Sequence, residues 1–137
     1  MVELELRTAG RTDFVDVTAQ VKSAIRRLGV REGTVTVFNP HTTAGVTINE
    51  GADPDVVRDL ETILDRLVPW SGGYRHAEGN AAAHAKASLM GSSVTLLVQG
   101  GRPVLGTWQA VWFCEFDGPR TRRLLVGANA AVGDEGG

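Results

Sequence analysis

Residues 33–54 read Gly33-Thr34-Val35-Thr36-Val37-Phe38-Asn39-Pro40-His41-Thr42-Thr43-Ala44-Gly45-Val46-Thr47-Ile48-Asn49-Glu50-Gly51-Ala52-Asp53-Pro54. Thr34 to Phe38 is a β-branched run with strand character, Asn39 to Thr43 is a polar loop, and Gly45 to Ile48 resumes extended structure. Asp53-Pro54 then starts a helix, because the carboxylate caps free amides while proline at the first helical position gives up no hydrogen bond. Val56, Val57, Leu60, Ile63, Leu64 and Leu67 follow as an apolar stripe that stops at Val68-Pro69. This helix begins beside Glu50 and Asp53, so its positive end is expected to face the histidine loop.

On the N-terminal side, Val2, Leu4 and Leu6 alternate with Glu3, Glu5 and Arg7, the period of a strand with one wet face. Gly10-Arg11 and the run Thr12–Val17 suggest that the chain opens with a hairpin. Thr18 is placed to cap a helix carrying Val21, Ala24, Ile25 and Leu28, which ends at Gly29. On the C-terminal side, residues 69–79 are rich in glycine and form a long loop. An alanine-rich helix runs from Asn80, its expected cap, to Met90. Beyond it come Val94–Gln99, a Gly100-Gly101 turn, a short Arg102–Leu105 run, a long strand Trp108–Phe116, an Asp117-Gly118-Pro119 turn and a strand Thr121–Val126.

The order ββαββααβββ favours an α+β fold, a mainly antiparallel sheet with helices packed on one face, over a doubly wound sheet. No repeat or linker divides the chain, so residues 1–137 are read as one domain, with a small, polar, flexible tail at 128–137.

A chain of 137 residues buries roughly two thirds of its unfolded surface and needs no disulfide or structural metal to fold. Fourteen basic against sixteen acidic residues leave a net charge of −2, which provides no global field for a nucleic acid. The lone Cys114 lies in an apolar strand and reads as a buried side chain, not as a nucleophile. No stretch is long and apolar enough to span a membrane, and the acidic, alternating N-terminus is no signal peptide, so a cytoplasmic protein is expected.

All three histidines fall in two polar segments, His41 in the first and His76 and His84 in the second. Imidazole is the commonest side-chain ligand of zinc, and three histidines with one open position suit a site that activates water or polarises an oxygen. Each has a plainer reading alone: a loop cap, a solvated ring, a satisfied helix residue. Clustering of titratable groups is what marks a site. Asn80 and His84 share a helix face. Trp108 is either core or an aromatic wall. Arg120 and Arg122, on one side of the last strand, either grip a phosphate or protect a solvated edge.

Read together, His41-Thr42-Thr43-Ala44, Thr47-Ile48-Asn49-Glu50 with Asp53-Pro54, His76-Ala77-Glu78-Gly79-Asn80, His84-Ala85-Lys86, Leu105-Gly106-Thr107-Trp108-Gln109 and Glu115 through Asp117-Gly118-Pro119-Arg120 resemble the YjbQ family, also called the secondary thiamine-phosphate synthase enzyme family. The resemblance covers nearly the whole chain. It implies a homotrimer with sites near subunit contacts, histidines placed to hold a divalent metal such as zinc or magnesium, and a weak activity joining a pyrimidine pyrophosphate to a thiazole phosphate. His41, Glu50, His84 and Lys86 are then the catalytic candidates and His41, His76 and His84 the metal ligands. Thr43, Asn49, Asp53, Asn80, Thr107, Trp108, Gln109 and Arg120 are the substrate-binding candidates. Two alternatives stand beside it: a metal-assisted hydrolase of a phosphorylated or heterocyclic metabolite with Glu50 as base, and a non-catalytic trimeric ligand-binding or metal-binding module. One departure is Ala82, where the family commonly carries aspartate.

Overall fold

The sequence periods turn into a fold that buries one strand on both faces. In the computed structural model, which describes residues 1–130, the chain forms β1 (Val2–Arg7), β2 (Asp13–Asp16), α1 (Thr18–Leu28), β3 (Gly33–Phe38), β4 (Ala44–Glu50), α2 (Pro54–Leu67), α3 (Ala81–Met90), β5 (Ser93–Gln99), β6 (Arg102–Pro103), β7 (Gln109–Glu115) and β8 (Thr121–Ala130). All strand pairings are antiparallel. The α+β class is as expected, but the strands divide into two sheets, β1-β8-β3-β5-β6 and β2-β7-β4. The cause lies in β7. Val111 and Phe113 point to one side and Cys114 to the other, and all three are buried, so the strand needs an apolar layer on each face.

One layer is the core between the sheets. Val35, Val37, Leu124 and Val126 of the larger sheet meet Val46, Val111 and Phe113 of the smaller, and α1 closes the space with Val21, Ala24 and Ile25. The other layer packs Phe14, Cys114 and Phe116 against Ala83 and Ala87 of α3, with Val57, Leu60 and Leu64 of α2 partly buried. Ile63 and Leu67 of the α2 stripe stay exposed. α3 sits on β4 at Gly45, where a Cβ would come within 2.7 Å of the Met90 Cβ. The missing side chain is what lets the helix lie this close.

Several expectations are corrected. No opening hairpin forms: β1 pairs with β8 and β2 with β7, so the first two strands belong to different sheets. The segment between them is spent elsewhere, with the Thr8 hydroxyl donating to Glu115. Thr18 is the first residue of α1 and not its cap; its hydroxyl donates to Asp16 and accepts from the Val111 amide. Asp53 does cap α2, accepting from the Asp55 amide at 2.9 Å. β8 runs to Ala130, held by β3, so the predicted tail begins too early; the rest of it, 131–137, lies outside the described residues.

Arg122 and Glu115 form an ion pair between the sheets, buried to 5% and 0% exposure. Glu115 Oε1 accepts from Arg122 Nε and from the Thr8 hydroxyl, both at 2.8 Å, while Oε2 accepts from Arg122 Nη2 and the Asp117 amide. Arg122 Nη2 also donates to the Thr43 hydroxyl at 2.9 Å. Burial alone would raise the Glu115 carboxyl, but these donors outweigh it and hold the group below its ordinary range. Both sequence readings of Arg122 therefore give way. It is neither a free phosphate grip nor a solvated edge, because β8 lies inside the sheet between β1 and β3.

Removing one partner strands a buried charge. Arg122→Met or Glu115→Leu alone is expected to cost about 3–5 kcal/mol, and the double variant to recover a large part of it. Urea unfolding of all three checks this; strictly additive losses would contradict the pairing.

Candidate functional site

Three separate stretches of chain meet at the end of the sheets where β3 leaves and β4 begins. The connecting loop is organised by Asn39, which is buried. Its Nδ2 donates to the carbonyls of Ala44 (2.6 Å) and His41 (3.2 Å), and its Oδ1 accepts from the His41 amide at 3.0 Å. This fold of the loop presents His41, half-buried, with its ring edge-on to Phe113 at 6.5 Å between centroids. His41 Nε2 accepts a hydrogen bond from the Arg123 amide at 3.0 Å. Burial lowers its pKa, and the neighbouring Arg122 charge lowers it further, so the ring is neutral at pH 7.

α3 brings Asn80 and His84, and the preceding loop brings His76. The His76 and His84 rings meet edge to face at 5.1 Å, and His76 Nε2 lies 3.9 Å from the Glu78 carboxylate. Asn80 does not cap α3 with its side chain. Its Nδ2 instead donates to Asp117 Oδ2 at 2.8 Å, and the same carboxylate oxygen receives Arg120 Nη2 at 2.8 Å. Because Asp117 can only accept, the Asn80 amide is fixed in orientation. Asn80 Oδ1 is left buried with no partner.

His41, His76, His84, Glu78, Asn80 and Arg120 thus line one cavity of about 370 Å³, within the size range of small-ligand sites. Thr43 also borders it, with its hydroxyl engaged by Arg122. Among the described residues no three His, Cys, Asp or Glu side chains lie close enough together to hold a metal ion. The three imidazoles share a cavity, yet with His41 turned to the Arg123 amide they do not form a three-histidine ligand set as placed.

The remaining candidates lie elsewhere. Lys86 is buried beneath α3, ion-paired with Asp65 of α2 and bordering a different cavity with Arg11 and Trp70. Glu50 pairs with Gln109 at the far end of the smaller sheet, and six strand steps separate it from Ala44, about 20 Å at the usual rise. The N-terminus of α2 is at that end too, so it does not face the histidine loop.

Asn49, Asp53, Thr107, Trp108 and Gln109 gather around Glu50. Each accepting side chain there is satisfied locally: Asn49 by the Glu50 amide, Glu50 by the Ala52 amide, Asp53 by the Asp55 amide, Gln109 by the Gly106 amide. Trp108 is 65% exposed, so it is not core. Asp117, Glu78 and Asn39 are not among the sequence candidates. Asp117 reads there as part of a turn and Asn39 as part of a loop; the only available signal is their position inside the polar motifs. Cys114 is buried as expected, its thiol pushed up by burial.

A family model described as UPF0047 protein YjbQ-like matches residues 2–131. The chain is 48% identical to the UPF0047 protein YugU of Bacillus subtilis over 90% of this chain and 94% of that protein. It is 44% identical to a UPF0047 protein of Methanocaldococcus jannaschii over 92% and 91%. Among solved structures, a YjbQ/UPF0047 protein of Clostridium acetobutylicum superimposes with a TM-score of 0.92 at 50% identity, covering 94% of this chain and all of that one. A conserved hypothetical protein of Thermus thermophilus gives 0.87 at 44% identity, covering 94% and 100%.

His41 provides a pH test. Its folded pKa is below the ordinary 6.5, so as pH falls through that value the unfolded chain takes up a proton that the folded chain resists, and stability drops. Between pH 7 and pH 5, His41→Gln is expected to lose less stability than the parent chain in urea titrations. Parallel pH curves for the two would refute the assignment.

Proposed function

The chain belongs to the YjbQ-like UPF0047 family, and from that premise we propose that the three-histidine cavity is a reaction site for a small phosphorylated metabolite. The observation that carries this is convergence: His41, His76 and His84 arrive from a strand loop, a long loop and a helix to line one polar cavity beside Arg120 and an unpartnered Asn80 oxygen. The reaction proposed is thiamine-phosphate synthase-like. A thiazole ring nitrogen attacks the methylene carbon of a pyrimidine pyrophosphate; the carbon–nitrogen bond forms as the carbon–oxygen bond breaks, and pyrophosphate leaves with the electron pair. Such a displacement needs countercharge at the leaving group more than a strong base. Arg120 supplies it permanently, and His76 and His84 supply it when protonated. Asn80 Oδ1 accepts from the pyrimidine amino group.

A divalent cation, zinc or magnesium, would supply the same countercharge when bound. The imidazoles as placed do not fit a three-histidine centre, so no step is routed through one. A homotrimer is part of the proposal. Asn49, Glu50, Asp53, Thr107, Trp108 and Gln109 lie too far along the smaller sheet to reach their own subunit's cavity, and they act on substrate only if a neighbouring copy presents them. No helix among the described residues is long and apolar enough to cross a membrane, and a cytoplasmic setting is assumed in the choice of substrates.

One observation favours a second reading, a non-catalytic ligand-binding module: of the four catalytic candidates, Lys86 is committed to Asp65 and Glu50 is remote, leaving His41 and His84. A hydrolase with Glu50 as base loses ground for the same reason. Incubation with the pyrimidine pyrophosphate and the thiazole phosphate, followed by chromatography, separates the three. The expected result is thiamine phosphate, reduced at least about 100-fold in the His41→Ala/His84→Ala variant. A raised melting temperature without product supports the binding module, and phosphate release without coupling supports the hydrolase.

A further inference from the structure

A second concavity lies away from the histidines, at the opposite end of β3 and β5. It measures about 590 Å³ and is bordered by Lys22 and Arg26 of α1, Arg31 of the following link, and Arg102 beyond the Gly100-Gly101 turn. All four side chains are exposed, and none forms an ion pair among the described residues. Arg26 has a local reason to be there, since it lies in the last turn of α1, where the carbonyl end of the helix favours a cation. Lys22, Arg31 and Arg102 have no such reason. The one carboxylate in the adjoining link, Glu32, has its Oε1 on the Gly100 amide at 2.9 Å.

Gly29, Gly100 and Gly101 contribute to the cleft's lining, beside Ile25, Val30 and Pro103. Gly100 and Gly101 have φ of +60° and +77°, a region side chains rarely enter. Arg31 Nη1 lies 3.5 Å from where a Gly101 Cβ would stand. The turn amides are already taken, Gly100 by Glu32 and Gly101 by the Arg31 carbonyl, so the donors free to meet a ligand are the guanidinium and ammonium groups. Four like charges around one hollow repel each other, and a bound anion reverses the sign of that energy. The cleft is of small-ligand size. It has no aromatic wall on which bases could stack, and the chain's net charge is −2, both of which disfavour a nucleic-acid strand.

We infer that this cleft is a second anion site that takes a compact polyphosphate group, independent of the histidine cavity and of whatever reaction occurs there. The two sites separate by substitution: Arg31 and Arg102 border this cleft and not the histidine cavity, whereas His84 and Arg120 border the histidine cavity and not this cleft. The test is calorimetric titration of inorganic pyrophosphate at pH 8.5 into the parent chain, an Arg31→Ala/Arg102→Ala variant and a His84→Ala/Arg120→Ala variant. The expected result is at least tenfold weaker binding at the cleft in the first variant, while the second variant keeps the cleft's binding event. Arg31→Lys/Arg102→Lys should retain most of the affinity, and Arg102→Glu alone should weaken it. Equal affinity in the parent and the Arg31→Ala/Arg102→Ala variant overturns the inference. So does loss confined to the His84→Ala/Arg120→Ala variant, absence of binding at millimolar pyrophosphate, or tighter binding of a single-stranded oligonucleotide than of pyrophosphate.

Discussion

The ion pair of Arg122 with Glu115 is the constraint on which the rest of the structure depends. It joins the two sheets at one end of their shared core and recruits Thr8 and Thr43 from the strand ends beside it. Taking two charges out of water is expensive, and a pair of well-packed apolar residues could fill the same volume at less cost. What the pair fixes is position. Apolar attraction among Val111, Phe113, Leu124 and Val126 is non-directional, whereas a bidentate guanidinium and carboxylate meet in one arrangement only.

That arrangement sets the histidine cavity. The residue after Arg122 supplies the amide that holds His41, and the loop carrying His41 ends at Thr43, which Arg122 grips directly. The Arg122 charge also keeps the His41 ring neutral, so the lone pair accepting from Arg123 stays available. Two residues past Glu115, Asp117 ties Asn80 to Arg120. The core of the molecule and the chemistry of its cavity are therefore the same set of hydrogen bonds seen from two sides. Burial in one direction fixes side chains that open to solvent in the other.

Local signals were legible where local forces decide. The alternation in Val2–Arg7, the Asp53-Pro54 start of α2 and the Gly29 end of α1 all appear as read, because each depends on residues within a few positions. Strand partnership was not legible. Alternation says that one face of β1 is buried but not that β8 will bury it. The run Val111-Trp112-Phe113-Cys114 held the only hint that β7 lies between two layers. The two polar segments that hold all the histidines do come together, and His41, His76 and His84 line one cavity. Lys86 misled because a helix residue two positions after a site histidine faces another way, here toward Asp65. Glu50 stands apart from its own subunit's histidines because closeness in sequence to His41 is undone by a full strand between them. The Glu115–Arg122 pairing spans a turn containing Gly118-Pro119, and nothing in the spacing of two common charged residues distinguishes partners from neighbours.

The contact at Gly45 works as a gauge block. α3 rests on β4 there with no side chain in between, so the separation between the helix that carries His84 and the strand that leads back to His41 is set by backbone thickness plus Met90. It depends on an atom that is absent, and a single methyl group at Gly45 would reset it.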